Sequence, residues 1–271
     1  MKKRADVLLF EKGIATSRQR AQAMIMSGEV FVNNIRVPKP STLLDEETEF
    51  EIKQGLKYVS RGGLKLEKAI NVFKIDLHEK TCVDIGASTG GFTDCMLQNG
   101  AKKVYAVDVG YGQLDWSLRN NPKVVVKERT NARYLQKQDF NERIDFVSVD
   151  ASFISLSLLF PAIDTIMDEN GTCLTLIKPQ FEAGKGKVGK NGVVRNRKVH
   201  QEVIENTISF AKTNHFNLLN LDYSPITGPK GNIEFLAYWD RHISSTDNDK
   251  TFLKIDEVIQ NAYLFHNMNF E

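Results

Sequence analysis

Thr81-Cys82-Val83-Asp84-Ile85-Gly86-Ala87-Ser88-Thr89-Gly90-Gly91-Phe92-Thr93-Asp94 reads as a buried strand, a glycine-rich turn and the start of a helix. Glycines let a chain turn tightly and approach a ligand, and the first turn of the helix offers unpaired N–H groups. Working outward, residues 64–73 form an amphipathic helix pattern ahead of this strand. Strand patterns follow at 103–108, 124–126, 144–150 and 173–177, with helical stretches at 114–120, 156–167 and 198–212 between or after them. Alternation of this kind predicts an α/β unit with a mostly parallel sheet and helices on both faces. Strands at 217–221 and 233–238 lack a long crossover and are expected as an antiparallel pair at the sheet edge, before a last helix at 251–267.

The turn is neither G-x-G-x-x-G nor G-x-x-x-x-G-K-[ST], which disfavours pyrophosphate and triphosphate ligands. Asp84 is expected in the turn itself, and Asp108 ends the next strand, where a ribose diol would donate its hydrogen bonds. A carboxylate beside a loop of N–H groups suits a ligand that is an amino acid at one end and a nucleoside at the other. S-adenosylmethionine is such a ligand. Asp84, Gly86, Ser88, Gly90, Gly91, Asp108 and Asp150 are the expected cofactor contacts.

Residues 1–44 carry eight basic side chains (Lys2, Lys3, Arg4, Lys12, Arg18, Arg20, Arg36, Lys39) against three acidic ones (Asp6, Glu11, Glu29), an excess of five within a chain whose net charge is +2. So basic a segment suits a polyanion. Val7, Leu8, Leu9 and Phe10 give a helical face ending at Gly13, and Thr16-Ser17 can cap a second helix with Ala21, Met24 and Ile25 inward, ended by Gly28. Val30-Phe31-Val32, Asn33-Asn34 and Ile35-Arg36-Val37 read as strand, turn and strand. Arg18 and Arg20 are expected to project together toward a phosphate backbone. The order Arg4-x-Asp6-x-x-Leu9, Gly13-x-x-x-Ser17-Arg18-x-x-Ala21, Ser27-Gly28-x-Val30-x-Val32-Asn33 resembles the S4 RNA-binding domain over residues 4–50.

Catalytic candidates lie where ligands bind in open α/β sheets, outside the carboxyl ends of the strands. Asp150 ends one apolar strand and Lys178 another, and a lysine there is hard to explain as a solvated charge. Glu234 interrupts the expected edge strand, and Lys65 lies in the helix leading into the first strand, where both could alternate outward as surface residues. Ser60-Arg61-Gly62-Gly63-Leu64-Lys65-Leu66, the turn at 84–93, Asp108-Val109-Gly110-Tyr111-Gly112-Gln113-Leu114, Asp150-Ala151-Ser152-Phe153-Ile154-Ser155 and Lys178-Pro179-Gln180-Phe181-Glu182 resemble the TlyA (haemolysin A) family, which joins an S4 domain to an FtsJ-type methyltransferase. The resemblance runs from about Arg4 to Tyr238 and implies a Rossmann-like S-adenosylmethionine-dependent methyltransferase sheet behind a small α+β RNA-binding domain. It implies a Lys-Asp-Lys-Glu tetrad at Lys65, Asp150, Lys178 and Glu234. It also implies 2′-O-methylation of cytidine ribose in ribosomal RNA, so ribosomal RNA or a ribosomal subunit is the expected partner.

Other acceptors fit less well. An exocyclic amine acceptor calls for an Asn/Asp-Pro-Pro-aromatic motif after the fourth strand, where this chain reads Asp150-Ala151-Ser152-Phe153. Base C5 methylation needs a cysteine nucleophile, and Cys82, Cys95 and Cys173 fall at core positions. His78, His200, His215, His242 and His266 show no ligand spacing, so no metal is expected. Gly184-Lys185-Gly186-Lys187-Val188-Gly189-Lys190-Asn191-Gly192 reads as a mobile basic loop that closes over RNA through Lys185 and Lys187.

Residues 1–54 are therefore expected as the RNA-binding domain, 55–60 as a linker, 61–245 as the methyltransferase and 246–271 as a tail helix. Apolar runs such as Val124-Val125-Val126 are far shorter than the roughly 20 residues that span a bilayer. Lys2-Lys3-Arg4 is followed by charges and no small-residue cleavage site, which predicts a cytoplasmic protein. Two other readings stand beside the enzyme: a membrane-active haemolysin, suggested by the family's second name, and a ribosome assembly factor with a non-catalytic methyltransferase fold.

Overall fold

The hairpin expected around Asn33 and Asn34 forms on positive φ angles of 50° and 63° at those two residues, which asparagine tolerates best among side-chain-bearing residues. The structure, a computed structural model, describes residues 2–26, 28–52, 57–189, 191–228, 230–241 and 248–267. It divides into two units, Met1–Ser60 and Arg61–Glu271. Residues 55 and 56 of the expected linker, and Lys190 of the basic loop, lie outside the described residues.

The first unit runs β1 (Lys2–Arg4), α1 (Ala5–Glu11), α2 (Arg18–Met26), β2 (Val30–Val32), β3 (Ile35–Arg36), β4 (Leu43–Asp45) and β5 (Glu51–Ile52). Ser17 caps α2 by accepting from the Arg20 N–H at 3.0 Å. Ala5, Leu9, Ala21, Met24, Ile25 and Val30 close its small core. Antiparallel pairing joins β1 to β4 and β2 to both β3 and β5. The sequence reading lacked β1, β4 and β5, since strands of two or three residues with charges in them show no apolar alternation.

The second unit runs α3 (Gly62–Phe73), β6 (Thr81–Ile85), α4 (Gly91–Gln98), β7 (Lys103–Val107), α5 (Trp116–Arg119), β8 (Val124–Lys127), β9 (Ile144–Val149), α6 (Phe160–Ile166), β10 (Met167–Ile177), α7 (Pro179–Glu182), α8 (Arg197–Thr213), β11 (Asn217–Tyr223), β12 (Phe235–Asp240) and α9 (Asn248–Phe265). Its seven strands lie in the order β11-β12-β10-β9-β6-β7-β8. The five from β10 to β8 are parallel, and β12 is antiparallel to both neighbours. The expected α/β architecture is present, including the antiparallel pair at one end. One position is corrected: β12 begins after Glu234 and is flanked on both sides, so β11 is the edge strand.

From β6 the chain steps to β7 on one side and later to β9 on the other, which makes the β6/β9 junction the switch point where open α/β sheets bind ligands. The turn after β6 and the start of the segment after β9 touch there, with Asp150 N–H donating to Ile85 O at 3.0 Å. The last helix, α9, buries Ile255, Val258, Ile259, Ala262 and Tyr263 in the core of this unit. Tyr263 also donates to Arg195 O and meets His200 Nδ1 at 3.1 Å.

Candidate active site

Gly86 stands at the switch point with φ 84°, and a Cβ there would come within 2.9 Å of Asp150 O and 3.0 Å of Ala151 Cα. The backbone of residues 150–151 excludes a side chain, so the glycine is required by space as well as by conformation. Asp108, past the end of β7, gathers two loops: Oδ2 accepts from Ser88 N–H and Oδ1 from Gly110 N–H, both at 2.7 Å. A cavity of about 700 Å³ opens above these residues. Gly86, Ser88, Asp108 and Asp150 line it, with Ile85, Ala132 and Leu159 among its apolar walls.

Three expected cofactor contacts sit elsewhere. Asp84 is in β6 rather than in the turn, with no exposed surface. Its Oδ2 accepts from Thr93 Oγ1 at 2.7 Å and its Oδ1 from Ser148 Oγ at 3.1 Å. Burial raises its pKa to about 7, against the pull of those two hydroxyls, with the nearby Asp150 charge adding to the rise. Gly90 takes φ 97° ahead of α4, and a Cβ there would strike Leu118 Cδ1 at 2.3 Å. Its lack of a side chain serves packing against α5, and Gly91 opens α4; neither lines the cavity. The sequence reading missed Gln113, Asn131, Arg133 and Ser152, which do line it. A signal existed for Asn131: Thr130-Asn131 follows the carboxyl end of the third parallel strand, β8.

Beside the cavity, four side chains from four segments converge. Lys178, at the residue after β10, places Nζ 2.6 Å from Asp150 Oδ1 and donates to Ser152 Oγ at 3.1 Å and to Asp150 O at 3.3 Å. Lys65 from α3 donates to the other Asp150 oxygen, Oδ2, at 3.1 Å and to Glu234 Oε2 at 2.7 Å. The result is a chain of alternating acidic and basic side chains, Glu234, Lys65, Asp150, Lys178. Lys65, Lys178 and Glu234 are all buried, so the outward-facing alternative for Lys65 and Glu234 is corrected. Burial works against the Lys65 ammonium, yet Asp150 and Glu234 together outweigh it and hold the lysine pKa above its ordinary value. At the rim, Phe153 has φ 63° and is 91% exposed, with its ring 5.0 Å from that of Phe181. A bulky residue held in the left-handed region and left open to solvent marks a constrained position.

The basic residues of the first unit are less free than the sequence suggested. Arg4 donates twice to the buried Asp6, at 2.9 and 3.0 Å, and Arg18 and Gln22 donate to it at 3.2 and 2.8 Å. These donors, Arg4 foremost, hold the Asp6 carboxyl well below the usual carboxylate range. Arg18 and Arg20 do not project together: residues two apart on a helix diverge, and Arg20 lies 4.0 Å from Glu29 instead. Lys3 is paired with Glu11 at 2.9 Å and Glu46 at 3.5 Å, while Lys2 and Lys39 are exposed. In the second unit, residues 185–187 form a 3₁₀ turn, and Lys187 is paired with Glu202. The side chains of Arg36 and Lys185 lie outside the described set.

Comparison with known proteins places these two units. Residues 58–241 match the model of the FtsJ-like methyltransferases, and residues 3–50 match that of the S4 domain. The chain is 50% identical over 239 residues to a candidate rRNA methyltransferase, YqxC, of Bacillus subtilis, covering 88% of this chain and 85% of that one. It is 39% identical over 261 residues to the 16S/23S rRNA (cytidine-2′-O)-methyltransferase TlyA of Mycobacterium tuberculosis, covering 96% of each. A solved structure described as a candidate hemolysin from Streptococcus thermophilus is 46% identical and superposes with a TM-score of 0.77, over 98% of this chain and 97% of that one. Among the described residues, no helix is long and apolar enough to cross a membrane.

Proposed function

The chain belongs to the FtsJ-like methyltransferase family, in the TlyA branch that carries an S4 domain, and from that premise we propose how it methylates the ribose 2′-hydroxyl of cytidine in ribosomal RNA. The observation that carries the reading is the position of Lys178, whose Nζ shares Asp150 with Lys65 while Asp150 and Ser152 form part of the cavity wall.

The cavity fits S-adenosylmethionine. Its size falls within the roughly 300–1,000 Å³ of small-ligand sites. Apolar walls at Ile85, Ala132 and Leu159 suit an adenine ring, Asp108 stands where a ribose diol would donate, and Gly86 leaves room for close backbone approach. When bound, S-adenosylmethionine supplies an electrophilic methyl group.

The protein must deliver the acceptor. A ribose 2′-hydroxyl is a poor nucleophile at neutral pH, so the site has to orient it and share its proton. Lys65 is unsuited to take that proton, because two carboxylates hold it charged. Lys178 shares a single carboxylate and carries the assignment: as the neutral amine its Nζ takes the hydroxyl proton and becomes the ammonium that Asp150 steadies, and as the ammonium it instead stabilises the developing alkoxide while the proton leaves to solvent. Glu234 acts at one remove by fixing Lys65. Phe153 offers an open aromatic face at the rim, suited to an unstacked base.

Docking falls to the first unit, with Lys2, Arg20 and Lys39 as exposed cations and Arg4 and Arg18 as partly engaged ones. A ribosomal substrate supports a cytoplasmic site of action. The decisive experiment is mass-spectrometric mapping of ribose methyls on ribosomal RNA from cells lacking the gene, before and after incubation with purified protein and S-adenosylmethionine. One or more cytidines should gain a methyl group on the ribose; methylation confined to bases, or none, would refute the assignment.

A further inference from the structure

Gly228 is a glycine that conformation does not demand. Its φ lies outside the left-handed region, yet a Cβ built on it would stand 2.7 Å from Glu234 Oε1 and 3.4 Å from Glu234 Cδ. Ordinarily the end of a glutamate side chain would swing away from such a collision. Glu234 has nowhere cheap to go: it is 1% exposed, and its second oxygen, Oε2, takes the 2.7 Å bond from Lys65. Displacing the carboxylate from Gly228 therefore pulls it off Lys65, and burial makes an unpaired lysine or glutamate costly.

The position of Gly228 is itself fastened. Its N–H donates to Asn232 O at 2.9 Å, and its own carbonyl accepts from Gly231 N–H at 2.8 Å. Asn232 is 3% exposed and spends its carboxamide on a different segment: Oδ1 accepts from Val194 N–H at 2.9 Å, and Nδ2 donates to Gly192 O at 2.8 Å. The clasp thus ties the segment leading to Glu234 to the end of the glycine- and lysine-rich loop. Val194 is buried, so both ends of the clasp are anchored in the unit rather than hanging in solvent.

We propose that Gly228, held by the Asn232 clasp, is a positioning residue for methyl transfer: it walls in the Glu234 carboxylate so that Lys65, and through it Asp150 and Lys178, keep one arrangement. This rests on the tetrad reading above, and the test separates the two. Gly228→Ala, Asn232→Ala, Glu234→Gln and the double variant Gly228→Ala/Glu234→Gln are assayed as full-length protein with S-adenosylmethionine and unmodified ribosomal subunits. Each is also checked for thermal melting and for S-adenosylmethionine affinity by calorimetry.

Gly228→Ala should lower kcat by about tenfold or more, since misplacement of about an ångström is enough to cost that much, while leaving KM for S-adenosylmethionine unchanged. In the Glu234→Gln background the same alanine should cost little further, because the ion pair it disturbs is already gone and a neutral carboxamide holds Lys65 only weakly; a purely structural defect would multiply in both backgrounds. Asn232→Ala should reproduce the kcat loss without the steric change, and serves if Gly228→Ala does not fold. Parental kcat in a folded Gly228→Ala protein beside a slow Glu234→Gln, or a fully multiplicative double variant, overturns the positioning role alone. Parental kcat in Glu234→Gln overturns the tetrad reading and the positioning role with it.

Discussion

The carboxylate of Asp150 meets Lys178 Nζ at 2.6 Å through one oxygen, while the other is held by Lys65. That division makes the two lysines unequal. Lys65 is locked between two anions, whereas Lys178 has one carboxylate, one serine hydroxyl and one carbonyl around it.

Lys178→Ala should therefore lower kcat by about 10²–10⁴, the usual worth of a positioned proton acceptor, with little change in S-adenosylmethionine affinity. Lys178→Arg sharpens the test, because a guanidinium keeps the charge but gives up no proton at working pH. If Lys178 takes the hydroxyl proton, the arginine variant is about as slow as the alanine one. Parental turnover in Lys178→Arg, measured with tritiated methyl donor, would assign the residue a purely electrostatic role.

Asp84 yields a stability prediction. Its folded pKa of about 7 lies above the ordinary aspartate value of 3.8, so the folded state prefers the protonated acid. Between those two pH values the unfolded chain has lost the proton and the folded one keeps it, and stability falls as pH rises. Above about pH 7 the whole penalty is present. Asp84→Asn keeps the shape and can still bond Thr93 and Ser148, so it should stabilise the protein at pH 8 by up to about 4 kcal/mol and bring no gain at pH 4. Denaturant unfolding at the two pH values measures this; an equal effect at both would mean that Asp84 is not protonated in the folded protein.

The buried parallel strands were legible because a sheet covered on both faces writes itself as near-continuous apolar runs, as in residues 104–107 of β7 and 146–149 of β9. Asp84 shows the limit of that reading. From sequence it belongs to the turn; in the fold Thr93 and Ser148 enclose it, and Ser148 arrives from a strand 64 residues away. Gly90 looked like a ligand contact because Leu118, which excludes its side chain, gives no local sign. Asp150 and Lys178 were legible from their places at strand ends and the full tetrad from resemblance, but the bridge that Lys65 makes between Asp150 and Glu234 was in neither. Lys65 and Glu234 are 169 positions apart and meet only because β12 turns back beside β10. In the first unit, charge counting overstated the open basic surface, since a single buried aspartate, Asp6, draws in two of the arginines.

Arg18 and Arg20 should consequently fail in different ways. The lowered pKa of Asp6 means that its bonds add stability above the ordinary carboxylate range, which is lost as pH falls through the folded value. Arg18→Ala removes one of its donors while Arg4 and Gln22 remain, so the first unit should lose about 0.5–1.5 kcal/mol at pH 7, and less at high salt because the guanidinium is half exposed. Arg20 supports no buried acid. Arg20→Ala should leave the melting temperature in place and instead reduce the salt dependence of ribosomal RNA binding by about one unit of slope, the signature of one lost phosphate contact. Affinity measured across a series of salt concentrations decides it: a slope unchanged in Arg20→Ala removes that side chain from the RNA interface, and a slope reduced equally by both substitutions would mean that Arg18 leaves Asp6 to meet the phosphate.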